Sequence, residues 1–275
     1  MKTTRPFTSK KTGEDGFTLT DLLVVIVTVA ILGVLLLPAL AGTKPNSQAF
    51  QCLENLRQLT LGWQMYAEDN NGKLPSNGQT STQCADPACT DYLPGGRYAQ
   101  WCPGVVDFYD AHAADFIKAG LIYPYVKNVI LYRCPADMKV FMRMGATQPQ
   151  ARGYSMNCCL APLPPLAKWN GPSVRVFYKD TDFVQPGPAM TFVFIDENEV
   201  SIYDTLFCNG PADPNSWQHI PAVRHAGAGG LSFADGHSEM KRWTDKGLFT
   251  TGGHVADPNP SADWAWLSQR TTVLK

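Results

Sequence analysis

The stretch GFTLTDLLVVIVTVAILGVLLLPALA, from Gly16 to Ala41, limits what the rest of the chain can be. From Leu22 to Leu37 sixteen residues pass without a charge. A helix over 17–41 would be about 37 Å long, enough to cross a hydrocarbon layer about 30 Å thick. Lys2, Arg5, Lys10 and Lys11 precede it. Basic residues stay in the cytoplasm, so the sequence predicts a single membrane pass with a cytoplasmic N-terminus and everything after Ala41 on the far side. Ala39-Leu40-Ala41 also has the small-x-small form of a signal-peptidase site, which leaves open a secreted protein cleaved after Ala41. Neither an anchor nor a signal explains Asp21. A charge inside an apolar segment costs ~2.5 kcal/mol or more near a bilayer's centre, and is tolerated where an opposite charge meets it.

The 275-residue chain is 44% hydrophobic with a formal net charge of −1, and its one basic cluster is the N-terminal one. A core can be buried, and the electrostatic footprint of a nucleic-acid binder is missing. Eight cysteines, an even count, suit an oxidising compartment and disulfides. Cys84 and Cys89, in CADPAC, lack a second ligand pair at zinc-finger spacing and read as a small disulfide loop. A Cys52–Cys134 bond would staple a helix to a sheet and close a loop of ~80 residues, stabilising by a few kcal/mol in the chain-entropy model.

After an interruption at Gly42 to Pro45, FQCLENLRQLTLGWQMYAEDN sets Leu53, Leu56, Leu59 or Thr60, Trp63 and Tyr66 or Ala67 on one stripe. That spacing predicts a helix packed on a sheet and stopped by Asn70-Asn71-Gly72. Residues 74–110 read as loops, and Val129 to Cys134, Val174 to Tyr178 and Met190 to Ile195 read as strands. In LSFADGHSEMKRW, Asp235-Gly236 predicts a two-residue type I′ hairpin in which Leu231 opposes Met240 and Ala234 opposes His237. Leu231, Phe233 and Met240 would then face the core, and Ser232, His237, Glu239 and Lys241 would face away.

Asp196, Glu197, His225, Asp235 and His237 are the residue types that hold a metal, calcium being the ion if carboxylates dominate. Each also has a local reason to exist: a turn for Asp235, a half-exposed strand for His237, the polar end of an apolar strand for Asp196 and Glu197, and a loop backbone bond for His225. AGAGG has no following Lys-Ser/Thr and leads into a strand, so it is not a phosphate loop. Ser232 and Ser238 lack a nucleophile elbow. Cys158-Cys159 is read as two structural half-cystines, with a redox pair as the alternative.

The N-terminal GFTLTD and apolar run resemble the type IV pilin-like family, which includes the type II secretion pseudopilins. The words CLENLRQL, YAEDNNGKLP, RCPAD, YSMN, IDENEVSI and RHAGAGGLSFADGHSEMKRW resemble one branch of it, marked by His-x9-Asp-Gly, here His225 to Asp235-Gly236. The resemblance implies cleavage by prepilin peptidase between Gly16 and Phe17, methylation of the new amine, and an acid at Asp21, where relatives carry Glu, that meets a neighbouring subunit's N-terminal ammonium. It implies an α+β fold: a long N-terminal α-helix, membrane-spanning half plus soluble half, packed on an antiparallel β-sheet with cysteine-tied loops. The segments would be a leader (1–16), a transmembrane and filament-core helix (17–41), the soluble half of that helix (42–69) and a periplasmic or surface sheet domain (70–275). The implied function is structural, with no reaction and no resident cofactor, in the bacterial inner membrane and then in a pilus-like or secretion-pseudopilus filament. Implied partners are prepilin peptidase, copies of itself, other pilin-like subunits, inner-membrane assembly machinery and inner-membrane lipid, with no nucleic acid. The residues alone also leave open a membrane-tethered metal-dependent binding protein or enzyme built around His225, Asp235 and His237.

Overall fold

The computed structural model describes residues 19–41, 43–78, 95–97, 99–104, 113–143, 146–163, 174–209, 217–245 and 261–274. They fall into two compact units, Met1–Lys44 and Pro45–Lys275. Helix α1 spans Leu19–Ala41. The expected membrane crossing is corrected: among the described residues no helix is long and apolar enough to cross a membrane. A single-pass inner-membrane location with a periplasmic C-terminal domain is therefore not supported. The leader, Gly16 and Phe17 lie outside the described residues, as do Cys84 and Cys89.

The second unit is built on α2, Thr43–Asp69, all but the first two residues of which it contains. Pro45 sits in its first turn, where a missing N–H breaks no helical hydrogen bond. Asn71 and Gly72, at φ 57° and 77°, end the helix in left-handed backbone. Short helices α3 (Ala113–Lys118) and α4 (Tyr123–Val126) follow, then a two-stranded hairpin of β1 (Val140–Arg143) and β2 (Ala146–Pro149). The main sheet has β3 (Tyr154–Asn157), β4 (Phe192–Asp196), β5 (Leu206–Phe207), β6 (Ala228–Phe233) and β7 (Ser238–Arg242), in the order β5-β3-β4-β6-β7. It is mixed rather than antiparallel throughout. The chain leaving β4 passes the end of β3 and pairs on its outer edge, so β5 runs parallel to β3 while the other pairs are antiparallel.

Apolar residues cover both sheet faces. Tyr154, Met156, Val193, Phe194 and Leu206 pack with Cys52, Leu56, Leu59 and Trp63 of α2. On the other side Phe192, Ile195, Phe207, Leu231 and Phe233 meet Trp217, Ile220 and Trp243, together with Trp264 and Leu267 of helix α5 (Ala262–Thr271). A register shift between Phe192 and Phe194 breaks the alternation, so that the neighbours Val193 and Phe194 both join the α2 side while Phe192 and Ile195 join the other.

Three local expectations are corrected. In the β6–β7 hairpin Leu231 opposes Glu239 and Gly230 opposes Met240, one residue away from the expected register. Only Gly236 (φ 96°) of the Asp235-Gly236 pair is left-handed; the Asp235 carboxylate accepts the His237 N–H at 3.1 Å, and the loop is the three-residue kind that closes on a glycine bulge. Val129–Tyr132 is a 3-10 turn, because the Asn128 side chain accepts the Ile130 N–H and caps it. Val174 and Phe177 form only isolated bridges, to Leu274 and Leu160. Nor are the loops tied by cysteines among the described residues: Cys52, Cys102, Cys134, Cys158, Cys159 and Cys208 form no disulfide.

α2 lies tightly against the sheet at β6. The Thr60 hydroxyl donates to Ser232 Oγ at 2.7 Å with both residues fully buried. A Cβ on Gly230 would stand 2.7 Å from Leu56 Cδ1 and 3.2 Å from Cys52 Sγ. One on Gly229 would overlap the Ala222 carbonyl oxygen, which cannot rotate away. Gly230→Ala should therefore cost ~1–2 kcal/mol and Gly229→Ala ~3 kcal/mol or more, the upper end of overpacking penalties. Urea unfolding of the two variants checks both the size and the order.

Candidate metal centre

Four separate segments bring one ligand-type group each to the seam between α2 and the sheet. Cys52 lies on the sheet-facing side of α2. Cys134 follows the 3-10 turn, and its carbonyl accepts the Asp137 N–H at 3.0 Å, which closes a turn around it. Asp196 is the last residue of β4. His225 sits in the tight turn before β6, where Ala226 and Gly227 take φ values of 53° and 85°. One donor atom from each lies within 4.8 Å of all the others. Cys134 Sγ and His225 Nε2 are 3.2 Å apart, and Cys52 Sγ and Asp196 Oδ2 are 3.9 Å apart. Cys52, Cys134 and Asp196 are fully buried and His225 is 9% exposed.

Neighbouring groups hold this arrangement in place. Arg224 Nη1 donates to Asp196 Oδ1 at 2.5 Å, which turns Oδ2 toward Cys52. The same guanidinium reaches Glu199 Oε2 at 2.8 Å and Asp137 Oδ2 at 3.5 Å. Tyr154 Oη approaches Cys52 Sγ at 3.3 Å. Asn55 Nδ2 donates to the Arg133 carbonyl at 3.0 Å, tying α2 to the residue before Cys134.

Burial sets the protonation of the groups. It pushes the Asp196 carboxyl up to about 7, against the pull of Arg224. The hydrogen bond with Cys52, burial and the Asp196 carboxylate raise the Cys134 thiol well above its ordinary value. Burial and the Arg224 charge lower His225. Burial disfavours charge on Arg224, but Asp196, Asp137 and Glu199 outweigh it and raise that pKa. A cysteine 3.2 Å from an imidazole has the geometry of a nucleophile pair. Here the thiol is fully enclosed and held protonated, the opposite of a reactive cysteine.

Of the five residues singled out by ligand chemistry, the fold gathers Asp196 and His225 and leaves the other three elsewhere. Glu197 points away from Asp196 and pairs with His219 Nδ1 at 2.9 Å and Ser201 Oγ at 2.8 Å. Asp235 and His237 pair with each other at 2.6 Å on the exposed hairpin, with the His237 ring stacked 4.3 Å from that of Phe233. The missing ligands were Cys52 and Cys134, which the sequence offered as a disulfide. A meeting point for those two and a meeting point for Asp196 and His225 were both legible; that they are one place was not.

A second buried polar group lies beside β5. Burial there disfavours charge on His219, but Glu197 and Asp204 carry its pKa above the ordinary value. Burial pushes Asp204 up to about 6 against the pull of His219. A carboxyl raised on folding adds stability that is complete below its unfolded pKa, near 3.8, and is lost as pH rises through the folded value. The loss attached to Asp204 amounts to about 3 kcal/mol between pH 4 and 7. Asp204→Asn should remove that decline; urea unfolding of both proteins at pH 4, 5, 6 and 7 measures it, and parallel curves would refute it.

No family model matches the chain, and neither a curated protein nor a solved structure does, so what the site does is read from its geometry alone.

Proposed function

We propose that this chain is a structural subunit of a pilus-like or secretion-pseudopilus filament, cut by prepilin peptidase between Gly16 and Phe17. The observation that carries the reading is α1. Its described side chains are exposed around the whole circumference, Leu22 at 48%, Ile26 at 60% and Val29 at 62%. A helix that is apolar on every side is stable in water only when something covers it. Equivalent helices from other copies supply such a cover, with α1 in the filament core and the second unit on its surface. The partners of this reading are prepilin peptidase, copies of this chain, other pilin-like subunits and the assembly machinery.

Asp21 is the one acid in that apolar surface. Enclosed in a bundle, its carboxylate is stabilised by a cation at close range, and the amine freed at Phe17 of a neighbouring copy is four residues from the same place in sequence. The subunit performs no reaction in this reading.

Intact-mass and N-terminal peptide analysis of protein from its native host should find a mature chain that begins with N-methyl-Phe17. A start at Gly42 would replace the filament reading with that of a secreted protein. Asp21→Ala should be cleaved normally but yield on the order of tenfold less filament, the effect of ~1.4 kcal/mol lost per subunit contact. Asp21→Glu should assemble at least as well as the parent. Filament yield by sedimentation and electron microscopy separates these outcomes.

A further inference from the structure

We propose that Cys52, Cys134, Asp196 and His225 are the four ligands of a single structural zinc ion that clamps α2 onto the sheet. Tetrahedral zinc bonds sulfur at ~2.3 Å and imidazole or carboxylate at ~2.0–2.2 Å, which sets neighbouring ligand atoms about 3.3–3.8 Å apart. The Cys134–His225 distance of 3.2 Å and the Cys52–Asp196 distance of 3.9 Å bracket that range. All four donor atoms already lie within 4.8 Å of one another. Small side-chain rotations therefore suffice to close the shell.

The donor set selects the metal. Two sulfurs, one imidazole and one carboxylate oxygen suit zinc. Calcium takes six to eight oxygens, and the four clustered groups include a single carboxylate, so the cluster does not suit the calcium expected from the acidic residues. Charge also balances. On binding, each thiol releases its proton to solvent, and the dication then meets two thiolates, the Asp196 carboxylate and a neutral imidazole. The remaining negative charge is offset by Arg224, which is bonded to the other Asp196 oxygen. Four protein ligands with almost no exposure leave no coordination place for water or substrate, which makes the centre structural rather than hydrolytic. A Cys52–Cys134 disulfide is the competing use of the same thiols. It would remove the sulfur partners of His225 Nε2 and Asp196 Oδ2 in the buried seam.

The test uses the full-length chain, purified without a histidine tag. Elemental analysis should find one zinc per chain and no calcium after incubation with both ions. Replacement by cobalt(II) should give the visible absorption of a tetrahedral thiolate site. Chelation should lower the unfolding midpoint by about 5–10 °C relative to a hundredfold excess of free zinc over its dissociation constant, and zinc but not calcium should restore it. Cys134→Ala and His225→Gln should each lose the metal, while Asp235→Asn on the distant hairpin keeps it. If those two variants do not fold, stoichiometry and cobalt spectrum of the parent decide. A zinc content below a tenth of the chain, or a Cys52–Cys134 disulfide in a non-reducing peptide map, would overturn the proposal. Neither result bears on processing at Gly16, so the clamp and the filament reading stand or fall separately.

Discussion

How near α2 can come to β6 governs the architecture of the second unit. At Gly230 the strand presents no side chain, and Leu56 and Cys52 occupy the space a Cβ would need. One turn further along the helix, Thr60 meets Ser232 through a buried hydroxyl pair. Contact this close makes β6 a buried strand on both faces: its backbone and small residues lie under the helix, while Leu231 and Phe233 fill the tryptophan-rich layer behind. A larger residue at Gly230 would lift α2 and separate Cys52 from the other groups of the metal centre.

That separation matters because the seam is polar as well as tight. Asp196, Asp137 and Arg224 are enclosed beside it, and burying such charges is favourable only when they satisfy each other. Arg224 hydrogen-bonds Asp196 and Glu199 and offsets the charge of Asp137 from 3.5 Å away. Arg133 Nη2 lies 3.6 Å from Asp137 and donates to the Lys139 carbonyl at 3.0 Å, which fixes the turn that carries Cys134. Hydrophobic contact alone is not directional; Asn55, bonded to the Arg133 carbonyl, and Cys52, beside Asp196 and Tyr154, fix the position of α2 at this end.

The sequence disclosed the elements whose own residues carry the pattern that stabilises them. The stripe on α2 is a helix period against a sheet, and Leu56, Leu59 and Trp63 are buried as that period requires. β4 was legible from its run of aromatic and branched residues. Elements stabilised from outside themselves were not. β5 has two residues and exists because β3 offers it an edge. α5 carries Trp264 and Leu267 toward a layer whose other members lie far away in sequence. Val129–Tyr132 has strand-like composition, and one capping side chain at Asn128 diverts it into a 3-10 turn. The hairpin failed for a related reason: Asp235 bonds its own backbone neighbourhood, which a dipeptide rule does not register. In the candidate site, residue type pointed to Asp196 and His225, but a cysteine pair in an even-numbered set reads as a disulfide until the imidazole and carboxylate are seen beside it.

The C-terminal stretch of the described chain has a consequence for synthesis. Asn157, in the second strand of the sheet order, donates to the Phe192 carbonyl and to the Thr271 carbonyl, and Val174 bridges to Leu274. Trp264 and Leu267 seal the layer behind β4 and β6. A nascent chain that has emerged only as far as β7 therefore has the helix-covered face of its sheet in place, while the opposite face carries Trp217 and Ile220 but still lacks Trp243, Trp264 and Leu267. Vectorial folding of this unit cannot finish on the ribosome until about thirty more residues have cleared the exit tunnel, at several residues per second a wait of seconds. During that interval Phe192, Ile195, Leu231 and Phe233 form an apolar sheet that is only partly covered, the surface a chaperone would be recruited to shield.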